Sequence, residues 1–83
     1  MSLEEYEERA RQLHAMDLPA AEKATAFDLL AKTLERCAWQ TWARERATML
    51  ATACRITAAE MGGATLEGMD GLARRGMLDR VAP

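Results

Sequence analysis

Apolar residues recur at steps of three and four along most of the chain. Leu3, Tyr6, Ala10 and Leu13 form the first such stripe, the spacing that gathers side chains on one face of an α-helix. Ser2 stands where its hydroxyl caps that helix, and Glu5, three residues on, stands where a carboxylate reaches back, the capping-box arrangement. The pattern predicts a first helix over 3–16, with Glu5/Arg9 and Glu7/Arg11 as ion pairs four residues apart. "DLP" closes it, because Pro19 disfavours helix at Leu18 yet suits the first turn of a new helix. From Pro19 to Met61 there is no further Pro or Gly. Phe27, Leu30, Leu34 and Cys37 make one stripe in this stretch and Trp42, Met49, Ala53 and Ile56 another, with a change of phase near "CAWQTW". Either one long helix over 19–55 bends there, or two helices meet. Unbroken, it would be about 55 Å long at 1.5 Å per residue, longer than a domain of this size is wide.

Thr57 followed by Glu60 makes a second capping box, with Ile56 and Met61 at the staple positions, so a short helix is expected over 57–61. Gly62 and Gly63 end it, and Thr65 caps a C-terminal helix over 66–75 that turns Leu66, Met69, Leu72 and Ala73 inward. Gly68 and Gly71 weaken that helix by about 1 kcal/mol each relative to alanine. They favour a competing outcome in which Thr57 and Glu60 merely end the long helix and a loosely helical tail follows.

Composition fixes the class. Val and Ile occur once each while Ala, Leu, Glu and Arg dominate, which removes the residues that strands favour. The expectation is an all-α single domain over 1–83, a small helical bundle with one long or bent central helix. At 83 residues such a domain buries a modest core, so a second copy of the chain is expected to complete it. Phe27, Leu30, Leu34, Trp39, Trp42 and Met49 are the candidate dimer or partner interface, the two tryptophans as its aromatic anchors. No apolar run approaches the roughly 18 residues that span a bilayer. The N-terminus "MSLEEYEER" is acidic where a secretory signal is basic and then apolar. No membrane association and a cytoplasmic location follow as expectations, and the preference for Arg over Lys hints at a bacterial or phage source.

Chemistry is sparse. Cys37 and Cys54 have no close Cys or His neighbour, so no metal-ligand spacing exists and both read as packed thiols. With one histidine, His14, and no phosphate-cradling loop, neither an enzyme, a metal site nor a cofactor is expected. The charge of −2 is uneven: Met1–Glu35 holds four cations against eight acids and Arg36–Pro83 seven against five, so the C-terminal half is mildly basic.

"ITAAEMG" resembles the second helix of bacterial winged helix-turn-helix regulators, and "GMDGLARRGMLDRV" resembles the end of their recognition helix and its exit. The resemblance covers the last third of the chain. It implies a small DNA-binding transcriptional regulator or phage-type control protein, with Thr65 early in the recognition helix and Arg74 and Arg75 near phosphates of duplex DNA. A dimer doubling Arg55, Arg74, Arg75 and Arg80 builds a phosphate-binding patch. The alternative is a helical protein–protein interaction module, such as an adaptor, an antitoxin-like inhibitor or an assembly subunit, presenting an apolar helix face. That reading expects an uncovered patch at Met69, Leu72, Met77 and Leu78.

Overall fold

The computed structural model describes residues 1–82, and among them all regular structure is helical: α1 (Leu3–Ala15), α2 (Ala20–Arg36), α3 (Thr41–Glu60), α4 (Leu66–Arg74) and α5 (Leu78–Val81). The four other helices all pack on α2. It is suited to this central place because its apolar positions are nearly continuous: Ala24, Ala26, Phe27, Leu30, Ala31 and Leu34 are all buried. Pro19 precedes its first turn, where the missing N–H loses nothing.

Of the two alternatives for 19–55, one long or bent helix or two that meet, the second is formed. Cys37 adopts extended backbone, and its N–H returns to the carbonyl of Leu34. The Trp39 indole Nε1–H donates to that same carbonyl at 2.8 Å, and its ring meets Tyr6 edge-on with centroids 5.7 Å apart. Two donors and an aromatic contact therefore stop α2 where local propensity would continue it. The result is an antiparallel pair that fits a body 36 Å in its longest dimension.

A separate helix over 57–61 is not formed. Thr57 lies inside α3, which runs on to Glu60 because no residue before it breaks the ladder. The turn comes at Gly62 and Gly63, with φ of 103° and 77°, where the Gly63 N–H caps the Ala58 carbonyl at 2.8 Å. The outcome for 66–75 is a well-formed helix, closing one residue earlier at Arg74, with Leu72 buried and Met69 partly so, but with Leu66 and Ala73 exposed and not turned inward. Thr65 caps it as the sequence suggests, its hydroxyl accepting from the Gly68 N–H at 2.9 Å. Gly68 and Gly71 are the means by which α4 approaches α2. A Cβ on Gly68 would fall within 3.0 Å of Thr25 Oγ1 and of the Ala21 backbone, and one on Gly71 within 3.0 Å of the Glu22 side chain.

At the N-terminus, Ser2 accepts from the Glu5 N–H at 3.3 Å. The expected Glu5/Arg9 and Glu7/Arg11 pairs do not form, because Arg9 and Glu7 take longer-range partners and Arg11 turns to its neighbour Glu8. Arg9 donates to the backbone carbonyls of Asp79 and Arg80, Glu7 pairs with Arg46 of α3 at 2.7 Å, and Arg11 pairs with Glu8. Tertiary partners close at hand outcompete i,i+4 pairs worth a few tenths of a kcal/mol.

Candidate functional site

α3 is apolar on two opposite faces. Its inner face is Ala43, Ala47, Ala51, Cys54 and Ala58, all buried, at steps of four, four, three and four. These are small side chains, and they let α3 lie close against α2. The large apolar side chains point the other way: Trp42 is 73% exposed, Met49 65% and Ile56 55%. At seven-residue steps these three advance about 10.5 Å each along the axis and drift about 20° per step around it. They form one ridge about 21 Å long, with exposed Ala53 beside it and Glu45 and Arg46 on its two edges.

Two clefts flank α3. Between α1 and α3 lies one of about 280 Å³, lined by Ala10, His14, Phe27, Leu50 and Ala53. The other, of about 440 Å³, opens where α2 turns into α3, lined by Leu34, Cys37, Trp39, Arg44 and Ala51. Cys37 contacts the Tyr6 hydroxyl at 3.6 Å and donates to the Thr33 carbonyl. Burial, with this contact to Cys37, pushes the Tyr6 hydroxyl up to about 12. Burial alone pushes the Cys54 thiol up to about 11. Both cysteines are free thiols, Cys37 half-buried and Cys54 buried.

The structure divides the expected interface residues. Phe27, Leu30 and Leu34 are core, with at most 3% exposure. α2 is surrounded by α1, α3 and α4, so its stripe is satisfied within one chain and not by a second copy. Trp39 is half-buried against that core, and only Trp42 and Met49 stand free. Ile56, read from sequence as a staple, belongs with them. The patch expected at Met69, Leu72, Met77 and Leu78 is closed, with Leu72 and Met77 buried and the other two partly so.

The expected DNA-contacting residues are dispersed in role. Arg55 pairs with Glu35 and Asp28 of α2, and this contact holds the Glu35 carboxyl below its ordinary range while raising Arg55. Arg75 pairs with Glu22, whose side chain is buried at the α2–α4 contact, and is raised in turn. Thr65 has its hydroxyl engaged as the α4 cap and its N–H donated to Thr25 Oγ1 at 3.1 Å. Arg74 and Arg80 are exposed and make no ion pair among the described residues. α4 packs on α2. Among the described residues no group of His, Cys, Asp or Glu is placed to hold a metal ion, and no helix is long and apolar enough to cross a membrane.

Protein-family models, curated proteins and solved structures offer no match to the chain.

Proposed function

We propose that this chain is a helical protein–protein interaction module whose contact surface is the outer face of α3. The observation that carries the reading is the ridge of Trp42, Met49 and Ile56. Three large apolar side chains, each more than half exposed and aligned on one regular helix, do nothing for the fold that a polar residue would not do. Aromatic and Met side chains are the ones enriched at contact surfaces, and a ridge of this spacing fits the groove of another helical surface.

A photo-crosslinking amino acid placed at position 42 or 49 in the source cells tests the reading. Protein adducts at both positions, absent when the same group is placed at exposed Gln12 of α1, are the expected result. No adduct at either position would overturn it.

The regulator reading rests on Arg74 and Arg80, the two expected DNA-contacting cations left without an ion pair among the described residues. Its test is the anisotropy of a mixed-sequence duplex at two salt concentrations, with and without Arg74→Ala and Arg80→Ala. Phosphate-driven binding falls steeply with salt and weakens in the variant. Binding that ignores both changes, or no binding at low salt, would remove it.

A further inference from the structure

We infer that the cleft where α2 turns into α3 binds a small aromatic monocarboxylate, with Arg44 holding its charge and Trp39 its ring. The site is separate from the outer ridge, since Trp42, Met49 and Ile56 take no part in its lining.

The cleft follows from unequal side chains. Ala47 and Ala51 are buried yet too short to fill the space beside the turn. Trp39 is fixed as a side wall, its indole N–H committed to the Leu34 carbonyl at 2.8 Å and its ring resting on Tyr6. What remains is about 440 Å³, within the range of small-molecule sites. It has one aromatic wall and an aliphatic floor of Leu34, Ala47 and Ala51.

The α3 wall carries polar groups that the fold does not use. Arg44, Thr48 and Thr52 line the cleft at steps of four, a row about 12 Å long. The Arg44 Nε–H donates to the Trp39 carbonyl at 3.3 Å, which steadies the guanidinium. Its terminal nitrogens meet no acceptor and no carboxylate among the described residues. Thr25 and Thr33 return their hydroxyls to carbonyls four residues back, at 2.7 and 2.8 Å. Thr48 and Thr52, both exposed, make no such bond among the described residues.

Charge decides the ligand class. On the α2 wall Glu35 is tied to Arg55, whose Nε lies at 3.1 Å, so Arg44 is the cation left to a ligand. Its planar fork matches a carboxylate through two parallel N–H···O bonds. A phosphate dianion would bring a second charge with no second cation to meet it, and would face the Glu35 carboxylate. The length of the row admits one ring on a short linker, the ring against Trp39 and the carboxylate between Arg44 and Thr48.

The test is a heteronuclear NMR titration of the full chain with phenylpropionate, its neutral amide and acetate. Phenylpropionate should give saturable shifts at the Trp39 indole N–H and at the backbone N–H groups of Arg44, Thr48 and Thr52, with Gln12 of α1 unmoved. The neutral amide and acetate should each bind roughly tenfold more weakly or worse, one for want of the charge and the other for want of the ring. Arg44→Ala, at an exposed position, should keep its helical circular dichroism and lose the preference for acid over amide. No saturation by high millimolar phenylpropionate, shifts centred away from the cleft, equal binding of acid and amide, or an unchanged preference in Arg44→Ala would overturn the inference.

Discussion

Substituting Gly68 by alanine should destabilise the protein although it places a better helix former inside a helix. On an exposed helix the change would stabilise by about 1 kcal/mol. Here the new methyl would lie 2.9 Å from the Ala21 carbonyl carbon and closer still to the Ala21 oxygen and Thr25 Oγ1. Ordinary contact begins near 3.4 Å, so α4 must back away from α2. Overpacking of this kind costs about 1–3 kcal/mol. The retreat also stretches the bond from the Thr65 N–H to Thr25 Oγ1, worth about 1 kcal/mol, and loosens the seat of fully buried Leu72. Set against the propensity gain, the net loss is about 2 kcal/mol, or roughly 8–16 °C in melting temperature for a domain of this length. Urea and thermal melts followed by circular dichroism measure it. Because part of the obstacle is backbone, adding Thr25→Ala should not restore stability. Gly71→Ala differs, since its methyl meets only the Glu22 side chain within 3.0 Å, and Glu22→Ala should relieve part of its effect. A Gly68→Ala protein as stable as the parent, or more so, would refute the close packing of α4 on α2.

Other outcomes follow from the same packing. Trp42→Ala, measured at dilution, should change the unfolding free energy by about 0.5 kcal/mol or less, as exposed positions do, whereas Leu30→Ala at the buried centre of α2 should lose about 2–5 kcal/mol; chemical denaturation distinguishes them, and equal losses would contradict the outward ridge. Thr65→Ala removes the α4 cap and should lower stability by about 1 kcal/mol, with Thr65→Ser restoring most of it in the same melt. Alkaline stability should fall in a defined window. Tyr6 and Cys54 are held neutral above their ordinary values of 10.0 and 9.0, to about 12 and about 11. The stability each contributes is complete below the ordinary value and lost as pH rises through the folded one. Denaturant midpoints should therefore drop between about pH 9 and 12, and the drop should shrink in Tyr6→Phe and in Cys54→Ala. A flat profile would contradict their burial.

The helical class and the capped ends were legible because they rest on local rules: Ser2 and Thr65 cap where their positions say, and the glycine pair turns the chain where a positive φ is needed. What sequence left open was which way each stripe faces. Trp42, Met49, Ala53 and Ile56 do share one side of α3, but periodicity reports that side chains align, not that they align inward. The inner face is alanine and cysteine, too slight to compete with tryptophan and methionine in any count of apolar residues, yet its small size is what lets α3 settle on α2. The same blindness made Phe27, Leu30 and Leu34 look like an interface, since a stripe covered by three helices of its own chain reads no differently from one covered by a neighbour. The partners of Arg55 and Arg75, Glu35 and Glu22, lie 20 and 53 residues away, too far along the chain for any local pattern to pair them.

The central position of α2 sets a hierarchy of opening. α4 and α5 lean chiefly on α2, so each can detach while α1, α2 and α3 keep their mutual contacts. Loss of α2 leaves little more than the smaller contact between α1 and α3. Amide protons of α2 should therefore exchange with solvent only when the whole molecule unfolds, and those of α4 through a smaller event of lower free energy. Measured residue by residue in deuterated water, this ordering would place the C-terminal segment as the first to open, with the outer face of α3 untouched throughout.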